Sequence, residues 1–227
     1  MSAYFVTATG TDIGKTFVAR GLVRALRAGG RHAEALKPVM SGFEPAEAAG
    51  SDAGLLLAAL GRPVTEEAIA LISPWRFAAP LAPDMAAARE GRSLEIEELV
   101  RFCKAAAASV PGTGVLLIEG AGGLMSPING GNTNLDWIGR LELPVILVAG
   151  SYLGTISHTL TALDAIARRG LTVKYLVISA TPGSPVRLDE TRDTIARFAP
   201  QIDVVALPRL TSSALEHPVF DQIAGRL

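Results

Sequence analysis

Apolar residues along the chain fall into two kinds of segment. Short unbroken runs occur at Tyr4-Phe5-Val6, Ala33 to Val39, Val115 to Ile118, Val145 to Val148, Tyr175 to Ile178 and Val204 to Leu207. A run without polar alternation is buried on both faces, as in a parallel sheet covered by helices. Between the runs the spacing changes to every third or fourth residue. Phe17 to Ala28 carries Val18, Leu22, Val23 and Leu26 on one face and stops at Gly29-Gly30. Further helices are predicted over about 94–109, 155–169 and 187–199. Strands alternating with helices predict a doubly wound α/β fold with a mostly parallel sheet. The stretch 40–93 is less regular and holds Pro45, Pro63, Pro74, Pro80 and Pro83. We read it as a loop-and-helix excursion within a single domain, 1–227. It would bring ligand groups to the C-terminal edge of the sheet, where open α/β sheets bind substrates.

Composition narrows the partners. Lys and Arg number 21 against 22 Asp and Glu, a net charge of -1. That excludes a strongly basic nucleic-acid binder, and aromatics at 5% argue against a base-stacking platform. One cysteine, Cys103, excludes an internal disulfide framework. No signal peptide or membrane-spanning run is visible, and mean hydropathy is +0.34. The expectation is a cytoplasmic protein with neither nucleic acid nor membrane as partner.

The chemistry begins at Thr9-Gly10-Thr11-Asp12-Ile13-Gly14-Lys15-Thr16. It follows a strand and opens a helix, the context in which G-x-x-x-x-G-K-[ST] binds phosphate. Loop N–H groups and the helix N-terminus favour a polyphosphate. Gly14 allows close backbone approach. Lys15 would reach the β- and γ-phosphates, and the Thr16 hydroxyl would face Mg²⁺. Thr9 stands where the first glycine is usual, with Gly10 after it. The strand 115–118 ends in Glu119-Gly120-Ala121-Gly122-Gly123. An acid at the end of a buried strand is the second metal-ordering group of a P-loop NTPase.

Lys37-Pro38-Val39-Met40-Ser41-Gly42, Ser51-Asp52, Pro144 to Val148 and Leu153-Gly154-Thr155-Ile156-Ser157-His158 complete the set. Together with the phosphate loop and the Glu-Gly-Ala-Gly-Gly element, these segments resemble the ATP-dependent dethiobiotin synthetases, from about residue 3 to about 180. The resemblance implies an ATP- and Mg²⁺-dependent cyclo-ligase of biotin biosynthesis. The family joins CO₂ to 7,8-diaminononanoate through a carbamate and a carbamic-phosphoric anhydride. It implies that Lys37 holds the carbamate and γ-phosphate, that Lys15 neutralises the transferring phosphoryl group, and that Thr11 and Ser41 touch the diamine or its carbamate. Thr16, Asp52 and Glu119 would order Mg²⁺. ATP would lie against Asp12, Ile13, Gly14, Lys15, Thr16, Phe17, Asp52 and Glu119 to Gly122. Its base would meet Ser179, Ala180, Pro208, Arg209 and Leu210. Gly154, Thr155, Ile156 and Ser157 would offer helix N-terminal N–H groups to the distant carboxylate. Thr155 and Ser157 also read as N-cap residues of that helix. The alkyl chain between the substrate's charged ends calls for apolar lining. A homodimer is implied by the resemblance alone.

The sequence departs from the family at three points. Ala8 stands for a usual glycine, and Ser179-Ala180 for a frequent Asn-Asp that reads adenine. Thr191 stands near a partner-subunit aromatic found in some members. A serine cannot make the paired contact of an amide. Among the remaining residues, His158 reads as a structural or capping histidine, Cys103 as a small core residue, and Trp75 and Trp137 as packing anchors. His32 and His217 receive no role. Two related classes differ from this pattern. Partitioning-type switch ATPases carry an additional early lysine in the loop, absent from Thr9-Gly10-Thr11. Cobyrinate-type amidating ligases need an added glutaminase domain and a cysteine in a nucleophile turn.

Overall fold

The computed structural model describes residues 2–210 and 215–227. The first half of the chain runs β1 (Ser2–Ala8), α1 (Lys15–Ala28), β2 (Ala33–Leu36), β3 (Val39–Ser41), a 3-10 turn (Pro45–Gly50), α2 (Asp52–Ala59), α3 (Glu66–Ile72), β4 (Trp75–Phe77), α4 (Pro83–Arg89) and α5 (Ile96–Ser109). It continues as β5 (Val115–Glu119), β6 (Pro127–Asn129), β7 (Asn132–Thr133), α6 (Asn134–Leu141), β8 (Val145–Gly150), α7 (Thr155–Arg168), β9 (Val173–Ser179), α8 (Leu188–Phe198), β10 (Asp203–Leu207) and α9 (Pro218–Ala224).

Six strands form one sheet in the order β10-β9-β8-β1-β5-β2, every neighbouring pair parallel. Its central strands are buried along their whole length in β5 and β8, as unbroken apolar runs require. The doubly wound α/β fold is therefore observed. No helix among the described residues is long and apolar enough to cross a membrane.

The predicted strand over Ala33 to Val39 is two strands. β2 ends at Leu36, and Val39–Ser41 pairs instead with Trp75–Phe77 in a separate two-stranded sheet. Lys37-Pro38 makes the break: the residue before a proline is sterically restricted, and proline has no N–H to give to a ladder. Lys37 N–H instead donates to the Ile72 carbonyl at 3.1 Å. The excursion thus starts at Lys37, earlier than the sequence implied, and its strands β3 and β4 tie it down.

Packing fixes the element that carries the phosphate loop. α1 lies against α2, α9, β2 and β5. Gly21 on α1 allows α9 to come close, because a Cβ there would stand 2.3 Å from the Phe220 ring. Trp137 on α6 is fully buried, edge-on to Phe5 of β1 at 5.0 Å between ring centres. Trp75 meets Phe102 edge-on at 5.6 Å. Both tryptophans are packing anchors, and Cys103 is a fully buried core residue of α5. α6, a helix outside those expected from the sequence, opens with a capping box between Thr133 and Asp136.

Candidate active site

The site lies where β1, β5 and the Lys37 turn end. Gly14 adopts φ 106 as the N-cap of α1, a left-handed conformation natural to glycine. The loop from 9 to 14 therefore delivers Lys15 and Thr16 as the first two residues of α1. Behind it, Gly123 comes so near that an added Cβ would stand 3.1 Å from the Gly10 Cα. A side chain there would push the β5 exit loop and the phosphate loop apart by a few tenths of an ångström. Asn134 clamps that exit loop, its amide donating to the Ala121 carbonyl at 2.5 Å and the Gly123 carbonyl at 2.8 Å. The Ser126 hydroxyl accepts from Gly123 N–H at 2.8 Å.

Four charged side chains and one hydroxyl meet in front of the loop. The Lys37 ammonium donates to Glu119 Oε1 at 2.6 Å and to the Gly120 carbonyl at 3.0 Å, and pairs with Asp52 Oδ2 at 2.8 Å. The Thr16 hydroxyl lies 2.7 Å from Asp52 Oδ1 and 2.7 Å from Glu119 Oε1, one proton between two acceptors. Lys15 reaches the Gly10 carbonyl at 3.4 Å. Lys15, Lys37 and Glu119 are all buried, with Glu119 wholly inaccessible, whereas the Asp52 side chain keeps 41% of its exposure.

These surroundings set the titration of each group. Burial, then the charge of Lys37, lowers Lys15 to about 8. Burial also opposes the charge on Lys37, but the carboxylates of Glu119 and Asp52 outweigh it and hold that ammonium above its ordinary value. Burial pushes the Glu119 carboxyl up; Lys37 counters this in part, and Asp52 adds to it. For Asp52 the burial cost is outweighed by Lys37 and by the Thr16 hydroxyl, so its carboxyl stays below the usual range.

Two cavities meet at this point. One, of about 780 Å³, is lined by Thr11, Asp12, Gly14, Lys15, Thr16, Lys37, Ser41, Asp52, Glu119, Ala121 and Gly122, all anticipated from the sequence. Its remaining walls, Val39, Met40, Pro80, Leu81, Ala82, Pro83 and Ser126, are not among the site residues expected from the sequence. Apolar lining was expected, but periodicity does not say which part of an excursion folds back. The second, of about 270 Å³, is lined by Ile13, Phe17, Ser179, Ala180, Pro208, Arg209 and Leu210, with Thr181 and Pro182 added. Asp12 and Gly14 line both, so the two cavities adjoin along the phosphate loop.

A family model described as an AAA domain matches residues 2–216. The ATP-dependent dethiobiotin synthetase BioD of Methylobacterium nodulans is 53% identical over 203 residues, 88% of this chain and 90% of that protein. The chain belongs to the dethiobiotin synthetase family. The BioD protein of Phenylobacterium zucineum is 48% identical over 228 aligned positions, covering 100% of this chain and 97% of its own. Fold alone is shared with the MinC:MinD cell division protein complex of Aquifex aeolicus. There the TM-score is 0.55 at 12% identity, covering 100% of this chain and 86% of the other. A ParA family ATPase from Chlorobium tepidum gives 0.54 at 12%, covering 99% and 89%. This enzyme family is a ligase family that uses ATP, and the phosphate loop and both cavities agree with that chemistry.

One predicted group is not brought to these cavities. Gly154, Thr155, Ile156 and Ser157 line neither of them. Gly154, at φ 99, is the N-cap of α7, and no side chain caps that helix. The N-cap reading of Thr155 and Ser157 is therefore corrected. Thr155 is buried and its hydroxyl donates to the Gly150 carbonyl at 2.7 Å, while Ser157 already lies inside the helix. His158, in the first turn, bonds the Tyr152 hydroxyl at 2.9 Å, in keeping with a structural role. Thr191 is buried, its hydroxyl donating to the Arg187 carbonyl at 3.1 Å.

Proposed function

We propose that the chain forms dethiobiotin from 7,8-diaminononanoate, CO₂ and ATP. The observation that carries this reading is the meeting of Lys15 and Lys37 with Thr16, Asp52 and Glu119 at the mouth of a cavity with one apolar wall. A switch ATPase of the partitioning type carries its additional lysine within the phosphate loop, whereas here the second ammonium, Lys37, comes from outside the loop and faces a cavity with one apolar wall.

In the first step one substrate amine attacks CO₂ and loses a proton, giving a carbamate. Lys37 holds the carbamate oxygens, and Thr11 and Ser41 orient the diamine; the Ser41 hydroxyl is buried with no partner of its own. In the second step a carbamate oxygen attacks the γ-phosphorus and ADP leaves. Lys15 and Lys37 offset charge that spreads over the transferring group, and positioned cations are the main catalytic need of such a transfer. In the third step the second amine attacks the carbonyl carbon, phosphate leaves, and the ring closes.

Mg²⁺ fits the residues present. Glu119 Oε2 is buried without a partner, and Thr16, Asp52 and Glu119 together form an all-oxygen set, the donor type this hard cation takes. When bound, it would neutralise charge on the phosphate oxygens. The set has two carboxylates, and among the described residues no three His, Cys, Asp or Glu cluster. Phosphate oxygens and water would complete the coordination, as is common for this ion.

We further propose a homodimer in which Gly154 to Ser157 serve the carboxylate end of a diamine held mainly by the other subunit. A third cavity, of about 550 Å³, is lined by Thr9 to Thr11, Leu124 to Pro127 and His158. It runs from the phosphate loop toward the head of α7. Met125, which lines it, is 59% exposed, and Leu153, just before α7, is 78% exposed; apolar side chains left open in this way suit a partner surface.

The test is an incubation with ¹³C-bicarbonate, ATP, Mg²⁺ and the diamine. Dethiobiotin labelled at the ureido carbon, with one ADP formed per ring, is expected. ADP without labelled product would overturn the reading.

A further inference from the structure

We propose that Asn134 is a positioning residue for ring closure: it holds the peptide between Ala121 and Gly122 so that the Gly122 N–H faces the larger cavity, as a donor to the carbamate carbonyl oxygen. The proposal rests on the reaction given above and gives a role in it to a side chain that does not itself line the cavity.

Asn134 is fully buried in the first turn of α6. Its amide nitrogen donates to the carbonyls of Ala121 and Gly123. Two acceptors at one end of the side chain identify that end as the NH₂ group. A trans peptide points its N–H opposite to its C=O. The Gly123–Leu124 peptide shows the consequence: its carbonyl lies on Asn134, and its N–H donates to the Ala8 carbonyl at 2.7 Å. The Ala121–Gly122 peptide is held in the same way, by its carbonyl. Its N–H therefore points away from Asn134, and it has no acceptor among the described residues. Ala121 and Gly122 line the larger cavity together with Thr11 and Lys37. A Cβ on Gly122 would stand 3.9 Å from Thr11 Oγ1. The unpaired N–H thus belongs to the side of the cavity where the carbamate is held. Asn134 Oδ1 is buried with no partner. A leucine of similar size would fill the place without leaving an acceptor bare, so packing alone does not call for an amide here. The two carbonyls do.

Ring closure puts charge where this donor stands. The second amine attacks the carbonyl carbon of the phosphorylated carbamate. A C–N bond forms, and a pair of electrons moves from the C=O bond to its oxygen. The pair returns as the C–O bond to the phosphoryl group breaks; phosphate leaves, and the amine gives up its proton to solvent. An N–H already aimed at that oxygen stabilises the charged stage without rearrangement. Without Asn134 the peptide is free to turn its carbonyl into the cavity, and an acceptor then stands where a donor is needed.

Asn134→Leu removes both bonds at nearly constant volume. Turnover is counted per nucleotide-binding site, so that any loss of folded protein drops out. A kcat about tenfold or more below the parent is expected, with the KM for ATP changed less than about threefold. The ratio of ADP formed to rings closed separates positioning from a structural role. The parent should give one. The variant should exceed about two, because a phosphorylated carbamate that closes slowly is hydrolysed by water to carbamate and phosphate. Asn134→Asp keeps the shape and serves where the leucine variant does not fold. Its carboxyl donates one bond when protonated and none when ionised. Its kcat relative to the parent should therefore rise as pH falls from about 9 to about 6. A ratio that stays at one in the folded variant overturns the proposal, whatever its kcat, and leaves the reaction standing. A parent protein without diamine-dependent ADP release overturns the reaction, and this role of Asn134 with it.

Discussion

Lys15 and Lys37 carry the same charge under different conditions. Lys37 is held by two carboxylates and keeps its proton; Lys15 is buried beside Lys37, with only the longer-range attraction of the acids, and falls to about 8. Bound phosphates favour the Lys15 ammonium, so its value in the complex lies above that of the free protein. Below pH 8 binding then needs no proton uptake. Above it, binding must take up a proton, and affinity should fall with rising pH, approaching tenfold per unit until the value in the complex is reached. Titration of nucleotide binding between pH 7 and 9.5 measures this, and Lys15→Met should flatten the slope. Lys37→Gln tests the other role. The kcat should drop about a hundredfold or more, with nucleotide affinity changed less than tenfold; unchanged turnover removes Lys37 from the reaction. Lys15 and Thr16 were legible from loop spacing alone. Lys37, Asp52 and Ser41 needed the family resemblance, because they come from an irregular segment. Asn134 was legible by neither route, since its task is to bond two carbonyls brought near by the fold.

At the scale of elements, the phosphate loop works because β1 is buried and α1 is wedged between α2 and α9. The unbroken apolar runs reported the central strands well, because burial on both faces leaves no polar alternation to confuse them. Ala33 to Val39 misled for the same reason: its apolar residues serve two sheets, and only Lys37-Pro38 marks the change. α6 carried a readable signal in Thr133, Asp136 and the spacing of Leu135, Ile138 and Leu141, but it is short. Its cap gives a stability prediction. Burial of Asp136 is outweighed by its bonds to Thr133 and Arg169, so its carboxyl stays below the ordinary 3.8. The contribution is therefore full above that ordinary value and is lost as pH falls through the lowered one. Asp136→Ala should cost about 1 kcal/mol near neutral pH. Urea unfolding measures it, and the gap from the parent protein should close in strong acid.

For the molecule as a whole, the order β10-β9-β8-β1-β5-β2 sets the two cavities side by side. The larger cavity lies over the ends of β1 and β5, and the smaller over the ends of β9 and β10. The near-balance of charge is kept locally as well, with two ammonium groups facing two carboxylates at the site. Gly154 to Ser157 line neither cavity, which is why the carboxylate end of the substrate is assigned to a second subunit. Sedimentation at micromolar concentration should give twice the 23.6 kDa of one chain; a species of that single mass would contradict the shared site. The central claim, a phosphoryl transfer made for a diamine, is tested most directly by omission. ADP release is followed with ATP, Mg²⁺ and bicarbonate, with and without 7,8-diaminononanoate. Release that depends on the diamine is predicted, and release at the same rate in its absence would contradict the claim.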